Sequence, residues 1–263
     1  MINKDLPSAE YHVEQDHLSC SILKQLVKSP AHYEAYLTQP RVDTADWLFG
    51  RVYHSKNLDK SPNYIVMPPA VKTRRGKLYD KLIEENPGVD LIKRDEYEHV
   101  CAMTEMLKQH PIYDQLYACD LFEASIFQEY ENLNLKIRPD AADTKTKIIY
   151  DLKTTRDASH DLSKPWSGFV GEFYRFDYDL QAYLYMSVFS QEFGHADKMV
   201  FVAQEKTPPY NVQCFSVPFN FESKALESGR EKFLRAMDNF RVWQEAKNTG
   251  QAVPGYGTEE VVL

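Results

Sequence analysis

"KIRPDAADTKTKIIYDLKTT", residues 136–155, sets two runs of alternating apolar and polar residues around a polar turn at 143–147, the pattern of a β-hairpin. Side chains alternate faces along a strand, so Asp151 and Lys153 share one face while Tyr150 and Leu152 pack on the other. If the turn centres between Lys145 and Thr146, Asp140 lies opposite Asp151 on the neighbouring strand. Two carboxylates and an ammonium then converge. Close carboxylates repel unless a cation joins them, and oxygen donors of this kind suit Mg2+ or Mn2+.

Working outward, "LFEASIFQEYENLNLKIRPDAADTKTKIIYDLKTT" alternates β-branched and aromatic residues with polar ones between turn signals at 131–134 and 143–147. It reads as a three-stranded antiparallel meander. "DYDLQAYLYMSVFSQEF" then predicts a helix carrying Gln181 and Tyr185 on one face at i and i+4. Strands follow at "KMVFVAQ" and "VQCFSVPF", and the spacing of Leu226, Phe233, Leu234, Met237 and Phe240 predicts a last helix ending near Gly250.

The half before the meander is mainly helical. "SCSILKQLVKSPAHYEAYL" places Ile22, Leu23, Leu26 and Val27 at helical spacing, with serines suited to capping and Pro30 as an interruption. "WLFGRVYHSKNLD" and "RDEYEHVCAMTEMLKQH" are further helices, joined by the Pro-rich, basic connection "MPPAVKTRRGK". No repeat or low-complexity tract divides the chain. The expected organisation is one α/β (α+β) domain over 1–263, with a mainly helical part at 1–118, a core at 119–220 and a C-terminal helix at 221–250.

With 263 residues, 43% of them hydrophobic, the chain can bury a sizeable core. Its apolar runs are far shorter than the roughly 20 residues of a membrane span, and "MINKDLPSAEYHVEQD" is too polar for a signal peptide. A cytoplasmic protein without membrane partners is expected. Cys20, Cys101, Cys119 and Cys214 form no Cys-x-x-Cys pair, which argues against a zinc ribbon or an iron–sulfur cluster. A formal charge of −8 weighs against nucleic acid as a partner, yet says nothing about where the 31 basic residues gather.

An acid-x-base triplet alone means little, because about five arise by chance in a chain of this composition. Context supplies the specificity. A Pro-Asp ends one strand, Asp-Leu-Lys follows on the next, and the helix with Gln181 and Tyr185 comes after. With "LSCSILKQLVKSPAHYEAYL", "FGRVYHSKNLD", "RRGK", "FEASIF", "RPD", "DLKTT" and "QAYLY" in this order over residues 11–243, the chain resembles the RecE (exodeoxyribonuclease VIII)-like branch of the PD-(D/E)XK nuclease superfamily. The resemblance implies a restriction-endonuclease-like core, a mixed central sheet that begins with the meander and is flanked by helices.

It further implies that His54, of a Gly50-x-x-x-His54 motif, binds catalytic metal with Asp140 and Asp151, the backbone carbonyl of Leu152 being a further ligand. Lys153 would orient the attacking water and stabilise charge on the phosphate. Glu123 matches a glutamate that helps to hold metal or water, although glutamates also begin many ordinary exposed strands. Gln181 and Tyr185 match a Gln-x-x-x-Tyr motif that positions the site and the DNA strand. Implied too are Mg2+, with Mn2+ able to substitute, and double-stranded DNA ends resected 5′-to-3′ to leave 3′ tails. A RecT-like single-strand annealing partner and a homo-oligomeric ring complete the expectation.

Lys72, Arg74, Arg75 and Lys77 read as a solvated loop by default and, in a nuclease, as contacts to the DNA backbone. Ser19, Ser21 and Lys24 suit either a helix cap or a terminal phosphate. Trp166 or Phe169 in "KPWSGFVGEFYRFDYD" could belong to the core or act on bases. The rival readings are a silent DNA-binding or scaffold module, an AddB-like nuclease, which needs the clustered cysteines this chain lacks, and a restriction-type endonuclease.

Overall fold

The computed structural model describes residues 1–4, 6–14, 16–39, 43–58, 63–161, 163–164, 166–220 and 222–256. The chain begins with β1 (Ile2–Asn3), α1 (Ser8–Val13), α2 (Cys20–Lys28), α3 (Pro30–Thr38) and α4 (Ala45–Leu58). β2 (Tyr64–Val66), α5 (Lys77–Glu85), β3 (Asp90–Ile92), α6 (Arg94–Gln109) and α7 (Ile112–Tyr117) follow. The strand region holds β4 (Leu121–Phe122), β5 (Ser125–Tyr130), β6 (Leu133–Ile137), β7 (Ala141–Asp143) and β8 (Ile148–Thr155). α8 (Gly168–Arg175), α9 (Tyr178–Phe193), β9 (Lys198–Glu205), β10 (Val212–Pro218) and α10 (Lys224–Thr249) complete the order.

β9 is a near-continuous apolar run and β8 is buried along most of its length, as befits strands covered on both faces. They pair in parallel at the centre of a five-stranded mixed sheet ordered β10-β9-β8-β7-β4. A parallel pair needs a long crossover, and α8 with α9 provides it. One face packs Ile149, Met199 and Phe201 against Leu180 and Leu184 of α9, Leu23 and Leu26 of α2 and Phe233 of α10. The other packs Tyr150, Leu152, Val200 and Val202 against Val52 and Tyr53 of α4 and Val100, Met103 and Leu107 of α6. The sheet is thereby sandwiched between two helical layers.

The hairpin register is the one the sequence predicts: Ala141 pairs with Tyr150 and Ala142 with Ile149, which sets Asp140 across from Asp151. The meander itself differs. β5 and β6 leave the central sheet and join β1 in a separate three-stranded sheet, so the meander is broken between Phe122 and Ser125 on one strand and between Ile137 and Ala141 on the next. Pro139 has no N–H to donate to the ladder, and Glu123, opposite the neighbouring Asp140, adopts a left-handed backbone with φ 47°. The pairing offset is unchanged across the break, because the Glu123 N–H still bonds the Asp140 carbonyl at 3.1 Å. The hairpin bends without slipping.

Two helices also form where the sequence pattern assigns none. The basic connection gives way to α5 at Lys77, and the aromatic stretch 168–175 forms α8. Among the described residues no helix is long and apolar enough to cross a membrane.

Candidate active site at the strand break

The bend in the hairpin is what builds the site. Where β6 stops hydrogen-bonding, the Asp140 carboxylate takes over the role of the ladder: its Oδ2 accepts the Leu152 N–H at 2.6 Å. α4 delivers His54 from the layer above, with Nε2 2.8 Å from the Leu152 carbonyl and Nδ1 3.4 Å from Asp140 Oδ1. The left-handed turn at Glu123 brings in a third group. Ligand atoms of His54, Glu123 and Asp140 all lie within 4.8 Å of one another.

Each carboxylate has its own support. Arg138 Nε donates to Glu123 Oε2 at 2.7 Å, while its Nη1 donates to Ser125 Oγ and the Leu6 carbonyl, both at 2.9 Å. Gln181 on α9 donates to Asp151 Oδ2 at 2.6 Å. Tyr185, one turn later, donates to the Arg138 carbonyl at 3.4 Å. Both are nearly buried, so they are not residues of a solvated helix face. Lys153 Nζ lies 2.5 Å from Asp151 Oδ1 and 4.6 Å from the centre of the Tyr178 ring.

Burial pushes the Glu123 carboxyl up to about 7, and the Asp140 charge adds to this against the pull of Arg138. Asp151 is likewise raised by burial, with Lys153 opposing. Burial would raise Asp140 as well, but the facing His54 and Lys153 hold it below the usual carboxylate range. His54 is the mirror case: burial favours the neutral ring, Asp140 outweighs it, and the pKa rises to about 9. Lys153 is raised despite burial because Asp151 is beside it. Three acids thus share three weakly solvated cations, His54, Arg138 and Lys153.

A divalent cation fits this set. Asp151 Oδ1 is buried and has no hydrogen-bond partner, since Lys153 is close to it but not aligned. Carboxylate oxygens with one imidazole are donors that Mg2+ and Mn2+ accept. His54, Glu123 and Asp140 could hold such an ion together, whereas Asp151 is turned toward Lys153 and Gln181. The Leu152 carbonyl is engaged by His54.

The remaining sequence candidates separate. Ser19 stands at the N-cap of α2, but its side chain makes no capping bond, and Ser21 is exposed. Lys24 reaches the site: Nζ lies 5.0 Å from the same Tyr178 ring and donates to the Phe176 carbonyl at 2.6 Å. Lys72, Arg75 and Lys77 are exposed. Arg74 is not free, because both its terminal nitrogens bond Glu96, which caps α6. Trp166 is 74% exposed, in a T-shaped contact with Tyr174, whereas Phe169 is fully buried and belongs to the core. Sequence reasoning missed Arg138 and Tyr178. The position of Arg138 beside Pro139-Asp140 was a usable signal; Tyr178 gave none.

No curated protein matches the chain. A crystal structure from Eubacterium rectale, assigned provisionally as an exonuclease, is 14% identical with a TM-score of 0.66, covering 96% of this chain and 90% of that one. A phage-related exonuclease from Haemophilus somnus is 13% identical with a TM-score of 0.36, covering 90% of this chain and 98% of that one. At such identity the first likeness speaks for the fold. Residues 19–253 match the model of the PDDEXK-like domain of unknown function (DUF3799), and the chain belongs to that family, with the mixed sheet of a PD-(D/E)XK nuclease at its centre.

Proposed function

We propose that this chain is a metal-dependent exodeoxyribonuclease that hydrolyses phosphodiester bonds from double-stranded DNA ends, working 5′-to-3′ and leaving 3′ single-stranded tails for recombination. The observation that carries the reading is the convergence of His54, Glu123 and Asp140 beside the Asp151–Lys153 pair at a break in the central sheet. A fold that needed only stability would gain little from buried carboxylates that repel one another, which counts against the silent-module reading.

His54, Asp140, Glu123 and, after reorientation, Asp151 would hold Mg2+, or Mn2+ in its place. Such an ion supplies a water nucleophile at neutral pH and neutralises charge on the phosphate. Lys153 donates from Nζ to the phosphoryl oxygens as charge develops on them, and Gln181 keeps the Asp151 carboxylate in its plane. Tyr185 ties the Arg138 carbonyl and so fixes the bend that presents Asp140. No covalent enzyme intermediate is required, and the reading uses no nucleophilic side chain.

The test is nucleotide release from linear duplex DNA labelled separately at each end, in Mg2+ or EDTA. Release should begin at the 5′ label, stop in EDTA and fall by about a hundredfold or more in Lys153→Ala, the loss typical of removing one electrostatic donor. Cutting of closed circular DNA would indicate an endonuclease instead, and DNA binding without release under any metal would indicate the silent module. The same reading takes residues 1–263 as one catalytic unit, a ring of copies around the DNA and a RecT-like annealing protein as receiver of the tail. A stable monomer in sedimentation would remove the ring.

A further inference from the structure

Phe176 departs from the aromatic cluster around it. Phe169, Phe173, Tyr178, Phe201 and Phe215 pack ring on ring between α8, α9 and the sheet, whereas Phe176 is 41% exposed. Its position is fixed. Asp177 next to it has a left-handed backbone, φ 54° and ψ 44°, and its carboxylate is held by Lys232 at 2.6 Å. The Phe176 carbonyl accepts from Lys24 at 2.6 Å, and the Arg175 guanidinium lies 5.0 Å from the ring centre. The ring is 6.0 Å from that of Tyr178, on which Lys153 Nζ rests at 4.6 Å.

A partly exposed aromatic ring is therefore held at the turn between α8 and α9, one ring away from Lys153, with the Arg175 guanidinium over it and Lys24 bonded to its carbonyl. A flat ring beside several cations matches a ligand that is itself flat and has an anionic backbone, an unpaired nucleotide. Bases inside a duplex offer no free face and the terminal pair offers only its outer one, whereas an unpaired nucleotide can bring its whole base onto the ring, so the occupant that fits best is a nucleotide already separated from its partner strand.

We infer that Phe176, with Arg175, is a stacking platform for the base of an unpaired nucleotide at a frayed DNA end beside the candidate active site. This rests on the nuclease reading and adds to it a subsite for the base, where the metal cluster and Lys153 address only phosphate.

The experiment uses the full chain in EDTA, so that nothing is cut, and single-stranded oligonucleotides with 2-aminopurine or an abasic residue at the terminal position. Wild type should bind the 2-aminopurine strand and quench its fluorescence. Phe176→Ala should lose the quench and bind about tenfold more weakly, in line with one base–aromatic stack, while Phe176→Trp restores both. The abasic strand should bind wild type and Phe176→Ala alike. Equal binding and quench in wild type and Phe176→Ala would overturn the inference, even if metal-dependent cleavage were intact. Intact stacking without cleavage under any metal would overturn the nuclease reading and leave the platform standing, and no DNA binding at all would remove both.

Discussion

At the scale of single residues, the site depends on how each buried carboxylate is restrained. Asp151 is held by Gln181 through Oδ2, while Oδ1 faces the Lys153 ammonium, so Gln181 helps to set where Oδ1 points. Groups that orient a metal ligand typically contribute ten- to a hundredfold to affinity or rate. Gln181→Ala should accordingly weaken Mn2+ binding by about ten- to a hundredfold, measured by calorimetric titration without DNA; an unchanged affinity would mean that Gln181 serves only packing. Gln181 and Tyr185 were legible in the sequence because their i, i+4 spacing survives in any helix. Glu123 was only half legible. Its approach to Asp140 depends on a left-handed backbone at a non-glycine residue, which no residue pattern announces. The partnership of Arg74 with Glu96 was hidden for a different reason, since 22 positions separate them and nothing local distinguishes Arg74 from its basic neighbours.

At the scale of elements, the helices and the hairpin register could be read from periodicity, but the attachments between distant elements could not. Lys136 looks like an ordinary strand lysine, yet its side chain is 2% exposed. Its Nζ donates to the Tyr11 and Glu14 carbonyls at 2.6 and 2.5 Å and to Glu14 Oε2 at 2.9 Å. It thereby clamps the C-terminal end of α1 across β6, next to Arg138. Lys136→Met leaves two carbonyls and a carboxylate without their donor and should destabilise the protein by about 3 kcal/mol in urea titration. Burial alone would raise the Glu14 pKa, but hydrogen bonds from His17 and Lys136 lower it overall. The clamp's contribution is therefore complete above the ordinary carboxylate range and is lost as pH falls through the lowered value. Stability in Lys136→Met should depend less on pH in that acidic window. A second attachment sets the position of α9. Gly229 lets α10 approach so closely that a Cβ there would meet the Asp179 carbonyl oxygen at 2.1 Å. Gly229→Ala should cost about 2 kcal/mol by overpacking, and nuclease activity should fall with it, because α9 carries Gln181 and Tyr185. Full stability in this variant would show that α10 can shift without cost.

At the scale of the whole molecule, charge presents the main problem for a DNA enzyme, since the formal total is −8. Binding to the phosphate backbone then requires local concentration of cations. Lys24, Lys153 and Arg175 form one group beside the site, and Lys72, Arg75 and Lys77 form another before α5. Arg74 lies within the second group in sequence but serves the fold. The two roles predict different behaviour. Replacing Lys72, Arg75 or Lys77 by Ala should weaken duplex binding equally across sequences and reduce the slope of log affinity against log salt by about one for each phosphate no longer neutralised, with unfolding unchanged. Arg74→Ala should do the reverse, lowering stability by about 1–3 kcal/mol because the half-buried Glu96 loses its bidentate partner while the salt slope remains that of wild type. Salt-dependent binding isotherms and urea titrations of the four variants separate the possibilities. If none of the three exposed residues alters the slope, the DNA path does not cross this segment, and the cations beside Tyr178 carry the backbone contact alone.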